Sequence, residues 1–181
     1  MKKFAFALIA GLAVISSGFA GTAVVSTGKS FKQPVIDQVT PCFADNEFTI
    51  DLFGGYQAVN DGDLYDDGFG FGVGVNYFFA RNFGLGLSGF WGELADGGDT
   101  WLHSVYADAI IRFPIDSVCL SPYILGGAGV LMDGYNRWVG HAGAGLEYRV
   151  TEKVGIFSDA RWVFDRANDF VLVRTGVRFA F

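Results

Sequence analysis

The chain has 181 residues, a length that suits one domain, with 17% aromatic residues, 18% charged residues and 26 glycines. So greasy and glycine-rich a composition is unusual for a soluble enzyme. A formal charge of −6 with no basic cluster argues against a nucleic-acid partner. The chain opens with MKKFAFALIAGLAVISSGFA, in which Lys2 and Lys3 precede an apolar run from Phe4 to Ile15, and Gly18 and Ala20 stand at the −3 and −1 positions of a cleavage site. These are the parts of a secretory signal peptide. We read residues 1–20 as that peptide, with a cut after Ala23 as the alternative. A membrane anchor is the competing reading, but the run is shorter than the ~20 residues a spanning helix needs.

Residues 21–45 show neither helical nor strand periodicity, and Pro34 and Pro41 interrupt them. They read as an irregular linker that contains Cys42, near its C-terminal end. Cys119 is the only other cysteine. Two thiols in an exported protein are compatible with one disulfide.

From Glu47 onward, eight segments alternate with period two, the mark of strands with two unlike faces. EFTIDLFGGYQA sets Phe48, Ile50, Leu52 and Tyr56 against Glu47, Thr49, Asp51, Phe53 and Gln57. GFGFGVGVNYFF sets Phe69, Phe71, Val73, Val75 and Tyr77 against Gly70, Gly72, Gly74 and Asn76. FGLGLSGFW sets Phe83, Leu85, Leu87 and Trp91 against Gly84, Gly86, Ser88 and Phe90. WLHSVYADAIIRF sets Val105, Ala107, Ala109 and Ile111 against Ser104, Tyr106, Asp108, Ile110 and Arg112. The fifth, SPYILGGAGVL, has the weakest parity, with Ile124, Ala128 and Val130 taken as outward. RWVGHAGAGLEYRV sets Ala142, Ala144, Leu146 and Tyr148 against His141, Gly143, Gly145, Glu147 and Arg149. VGIFSDARWVF sets Ile156, Ala160, Trp162 and Phe164 against Gly155, Phe157, Asp159 and Arg161. The last, LVRTGVRFAF, sets Val173, Thr175, Val177, Phe179 and Phe181 against Arg174, Gly176, Arg178 and Ala180.

Ten residues at ~3.3 Å each, tilted near 40°, cross an apolar band about 25 Å tall. Eight such strands joined by tight turns predict an all-β fold, an eight-stranded antiparallel up-and-down transmembrane barrel over residues 46–181. Closure satisfies the backbone without water, as lipid requires. Eight strands leave an interior just wide enough for side chains, and Gly72, Gly84 and Gly143 would make room for the long ones.

The charges decide which face points in. Glu47, Asp51, Asp108, Glu147 and Asp159, with Arg112, Arg149, Arg161, Arg174 and Arg178, all share the less apolar face. Turned outward, each mid-membrane arginine would cost ~2–4 kcal/mol, so these residues line the lumen. Glu147, Arg149, Asp159 and Arg161 lie on neighbouring strands beside a tight turn, and a crossed ion-pair cluster of these four with Arg178 is expected. Trp91, Trp101, Trp138 and Trp162 fall by parity on the outside and at one end, the pattern of an interfacial aromatic girdle. Tyr77, Phe79, Phe83, Phe113, Tyr148 and Phe181 would form the opposite girdle.

The signal peptide, the PYILGGAGV strand, the GVRFAF ending and the aromatic last residue resemble the small OmpA/OmpX-like outer-membrane β-barrel family. The resemblance implies a cell outer-membrane location in a Gram-negative type bacterium, with both termini in the periplasm. It makes Phe181 part of a signal for the outer-membrane insertion machinery. Gaps 80–82, 114–119 and 151–153 would then be periplasmic, and gaps 59–68, 95–100, 132–136 and 165–169 extracellular. Partners would be membrane lipid and lipopolysaccharide around a monomer. Cys42 and Cys119 would lie on the periplasmic side. A disulfide would draw the linker over that mouth, and two free thiols are the alternative.

No motif points to catalysis or a cofactor. VNDGDLYDDG clusters Asp61, Asp63, Asp66 and Asp67, but Tyr65 stands where a calcium loop needs a third ligand, so a solvated loop is the better reading. Asp96, Asp99, Asp133, Asp165 and Asp169 continue the acidic bias. A lipid A deacylase-type site would use H-x-S at the rim. Here His103 and Ser104 are adjacent, and alternation sends them to opposite faces. His141 points inward with no obvious partner. GFGFGVG lacks the following helix of a nucleotide loop. The reading is an outer-membrane barrel with a closed, ion-paired polar lumen and a structural or surface-interaction role. A narrow porin-like channel and a rim lipid A-modifying enzyme are the alternatives.

Overall fold

The computed structural model describes residues 41–59, 67–93, 101–132, 136–165 and 169–181, with the backbone alone at Glu93, Trp101 and Leu102. The expected signal peptide and most of the linker lie outside the described residues. The strands are β1 (Glu47–Val59), β2 (Gly68–Ala80), β3 (Phe83–Glu93), β4 (Trp101–Arg112), β5 (Leu120–Met132), β6 (Asn136–Arg149), β7 (Val154–Phe164) and β8 (Phe170–Ala180). Every neighbouring pair is antiparallel, and β1 pairs with β8 to close the barrel. Phe181 extends the closing ladder: its N–H donates to the Phe48 carbonyl at 2.9 Å, and its own carbonyl accepts from Phe48 at 3.3 Å.

Two ends follow from this order. The near mouth holds the start of β1, the end of β8 and the short connections β2–β3, β4–β5 and β6–β7. The β6–β7 turn is fastened by the Thr151 hydroxyl, which accepts from the Val154 N–H at 3.0 Å. The β4–β5 connection carries a 3₁₀ turn, Asp116–Val118, that stops at Cys119 in a left-handed conformation (φ 50°). The far mouth holds the remaining connections.

Burial alternates along the strands with the parity of the sequence, and in β5 Ser121, Tyr123 and Leu125 point in while Ile124 and Ala128 point out. The inward glycines have separate reasons. A Cβ on Gly72 or Gly84 would stand 2.3 Å or 2.5 Å from the rings of Phe53 and Phe78, whereas one on Gly143 would meet the Ala160 carbonyl of β7 at 2.3 Å. The first two give space to aromatic rings in the lumen, and the third lets two strands approach.

The interior is layered. Towards the far mouth, Phe53, Phe90, Tyr106, Leu131, Val163 and Phe170 belong to one buried apolar cluster. Towards the near mouth, Phe78, Ile110, Tyr123 and Leu125 form a second. The lumen is therefore not purely polar. Inward positions near the far mouth carry rings and aliphatic groups, which need no partners when buried, whereas Glu47, Arg112 and Arg149, terminal residues of β1, β4 and β6, are buried at the near mouth.

Candidate functional site

Charged side chains fill the barrel from the near mouth to its middle, and all ten of those singled out in the sequence are buried. They sort into two chains of alternating sign. Nearer the near mouth, Arg178 holds Asp51 at 2.7 Å and Glu147 at 2.6 Å; Arg149 holds Glu147 at 2.5 Å and Glu47 at 2.7 Å; and Arg112 ends the series on Glu47 at 2.8 Å. Further up, Arg161 bridges Asp108 at 3.0 Å and Asp159 at 3.4 Å, and Arg174 holds Asp159 at 2.6 Å. Each chain has equal numbers of acids and arginines. Each guanidinium has at least one carboxylate within reach, which is what a desolvated charge requires.

Neutral groups complete the network. The Asn76 amide donates to both Asp51 and Thr49 at 2.9 Å, and the Tyr123 hydroxyl donates to Asp159 at 2.8 Å. Aromatic faces cover the cations: the Arg112 guanidinium carbon lies 3.7 Å from the Phe78 centroid, that of Arg174 4.5 Å from Phe53, and that of Arg178 4.9 Å from Phe157.

The crossed cluster expected around Glu147, Arg149, Asp159 and Arg161 does not form as one unit. Register puts Phe157, not Asp159, opposite Glu147, and puts Asp159 opposite Gly145. The two pairs thus sit at different depths, and each finds its partners in a different chain. His141 also differs from its reading as partnerless. Its Nε2 lies 2.5 Å from Asp108 Oδ1, and its ring meets Tyr106 edge-on at 5.2 Å. The contact crosses β5 at Gly127, whose Cβ would fall 1.9 Å from the Ala107 carbonyl. Nothing in the alternation of a single strand indicates a partner two strands away. Ser88 accepts from Arg174 at 3.5 Å; alternation places Asn76 and Ser88 inward and leaves Tyr123 unassigned, and only the charged rows they face signal their roles.

Outside, Trp138 and Trp162 are exposed and Trp91 is half-buried, its ring 5.8 Å from Phe71, all at the far end. The Trp101 backbone pairs with Glu93 at the same end, and its side chain lies outside the described residues. Tyr77, Phe79, Phe83, Phe113, Tyr148 and Phe181 are exposed at the near end. His103 is exposed and Ser104 buried, its hydroxyl donating to the Phe90 carbonyl at 3.4 Å. Asp61, Asp63, Asp66, Asp96, Asp99 and Asp133 lie outside the described residues. Asp67 accepts from the Val59 N–H at 2.9 Å and the Tyr56 hydroxyl at 2.8 Å, and Asp165 pairs with Arg137 at 2.5 Å.

Cys42 and Cys119 are joined in a disulfide with a Cα–Cα distance of 5.4 Å. Beside it, Phe43 is buried although it belongs to no strand.

An apolar exterior, a charged interior and a closed antiparallel ladder define a transmembrane β-barrel. The fold is that of the small OmpA/OmpX-like outer-membrane barrels. Neisserial surface protein A is similar at 16% identity and a TM-score of 0.58, over 74% of this chain and 97% of its own. Ail, the attachment invasion locus protein of Yersinia pestis, is similar at 20% identity and a TM-score of 0.56, over 76% and 99%. The N-terminal barrel domain of Pseudomonas aeruginosa OprF is similar at 22% identity and a TM-score of 0.53, over 76% and 98%. No protein-family model and no curated protein matches the chain.

Proposed function

We propose that this protein is an exported barrel of the outer membrane, inserted with its near mouth in the periplasm. Its lumen is closed, and its role is structural or surface-interacting rather than catalytic. The observation that carries this reading is the unbroken sequence of buried layers along the barrel axis. Phe43 covers Arg112 and Arg149 at the near mouth, two neutral ion-pair chains with Phe78 and Ile110 among them fill the near half and the middle, and Phe90, Leu131 and Phe170 fill the far end. A permeating ion would have to part carboxylate–guanidinium pairs in low dielectric and then cross an apolar layer. Two of the similar proteins are named for a surface location or for attachment, which fits the same reading. A rim lipid enzyme is disfavoured because Ser104 faces the lumen while His103 faces outward. Its partners in this reading are membrane lipid, lipopolysaccharide and, during assembly, the outer-membrane insertion machinery reading Phe181. The test is conductance of refolded full-length protein in planar bilayers. No steady open state is expected, and a sustained ohmic current would overturn the closed lumen.

A further inference from the structure

The near mouth carries a feature that a closed barrel does not need. Residues 41–46 fold back beneath the strands instead of leading away from them. Asn46, in a left-handed conformation (φ 55°), makes the bend. Phe43 ends inside, 1% exposed, with the guanidinium carbons of Arg112 and Arg149 each 5.1 Å from its ring centre. Arg112 also donates to the Ala44 carbonyl at 3.0 Å, and the Arg81 N–H donates to the Asp45 carboxylate at 2.5 Å. The turn at Asn46 ties the segment to β1, and the bridge from Cys42 to Cys119 ties its other end to the β4–β5 connection. Without the bridge the segment's one covalent tie to the barrel is through Asn46 to β1. A pocket of about 310 Å³, lined by Cys42, Asp45, Glu47, Lys153 and Phe181 among others, adjoins the bridge.

We propose that residues 42–46 are a stopper seated in the near mouth, and that the Cys42–Cys119 disulfide is its redox latch. The pocket beside Cys42 is the approach for a dithiol reductant. One thiolate of the reductant attacks a sulfur of the bridge and displaces the other. The second then resolves the mixed disulfide, so the reductant leaves oxidised and two electrons and two protons end on Cys42 and Cys119 as thiols. The freed segment swings out on Asn46, and water reaches the Glu47–Arg112–Arg149 end of the ion-pair chain. The closed-lumen reading bears on the latch at one point only. The far apolar layer stays shut, so unlatching admits water without opening a through channel.

Ser121 tests the stopper, because it is 0% exposed and sits in register with Glu147, the partner of the Arg149 guanidinium on which Phe43 packs. A Ser121→Cys protein refolded in detergent is treated with a charged methanethiosulfonate, once the native bridge has been verified by peptide mass. The labelling rate is compared with that of the same protein carrying Cys42→Ser and Cys119→Ser, and with one carrying Phe43→Ala and an intact bridge. Labelling faster by about tenfold or more in both is expected, as for any site released by local opening. Equal rates in all three overturn the stopper, and acceleration by Phe43→Ala alone overturns the latch. If the double serine protein does not fold, folded bridged protein that has been reduced, and then freed of reductant, is labelled in its place. Equal rates in all three again overturn the stopper, and an unchanged rate after reduction beside a faster Phe43→Ala protein overturns the latch. Planar-bilayer current is recorded on all of them. A steady current from the protein with its native bridge would sink the closed-lumen reading, whereas the labelling ratio judges the stopper separately.

Discussion

At the scale of single residues, the buried carboxylates differ from those at the surface by what each would leave behind. Glu147 accepts from both Arg149 and Arg178. Glu147→Arg would place three guanidinium groups together away from water, and should lower unfolding stability in lipid vesicles by at least ~3–5 kcal/mol. Urea titration would measure it, and an unchanged midpoint would remove Glu147 from the network. Arg81→Ala is the contrast. Arg81 pairs with Asp116 at the rim, with over a third of its side chain exposed, and the change should stay within about 1 kcal/mol. Asp67 supplies a pH dependence at the far mouth. The Val59 N–H, and then the Tyr56 hydroxyl, hold its carboxyl below the usual range. A carboxyl depressed on folding contributes stability above its unfolded pKa, and that contribution is lost as pH falls through the lower folded value. Acidification below ordinary carboxylate titration should therefore loosen the β1–β2 ends. The protection factor of the Val59 amide, corrected for intrinsic exchange, should fall there in the native protein and be insensitive to pH in Asp67→Asn. Which residues are buried charges was legible, because sign and parity need only one strand. Who pairs with whom was not, because an arginine reaches across neighbouring strands and its partner depends on register and depth.

At the scale of strands, the period-two pattern did most of the specifying. One face had to tolerate lipid and the other could not, so a shift of one residue would turn every arginine outward. The weak fifth strand shows where the pattern runs out. β5 is rich in glycine and small residues, and its register is settled by its neighbours, Ser121 against Glu147 and Gly127 against both Asp108 and His141. The apolar layers of the lumen were also hard to read, since Phe53, Phe90 and Phe157 look like exceptions to a polar face until their depths are known. The lipid face gives a direct test. Ala144 is exposed on β6, in register with Ala160 of β7. Ala144→Arg should destabilise the barrel by ~2–4 kcal/mol in bilayers, while leaving the lumen intact. Vesicle-based urea unfolding would show it, and a neutral result would mean that this face does not meet hydrocarbon.

For the molecule as a whole, closure and strand number could be counted from the sequence, because eight segments of one length admit one up-and-down arrangement. Depth could not, so the levels of the two ion-pair chains and the seated Phe43 came only with coordinates. Orientation in the membrane takes a further physical step. The start of β1, the end of β8 and the shortest connection, β2–β3, share the near mouth, so neither end of the strand order has to cross the hydrocarbon if insertion starts from that side. The connections at the far mouth must cross it. They carry Asp61, Asp63, Asp66, Asp96 and Asp99, residues outside the described set that favour water on the far side once delivered. The girdles fit, with Trp91, Trp138 and Trp162 at the far interface and Tyr77, Phe83 and Tyr148 at the near one. Epitope tags inserted after Gly62 and after Gly97 should therefore be labelled by antibody on intact cells. A tag in the 151–153 turn should be labelled only after the outer membrane is permeabilised. Labelling of the turn tag on intact cells, with the two loop tags protected, would invert the topology and place the Cys42–Cys119 mouth at the cell surface.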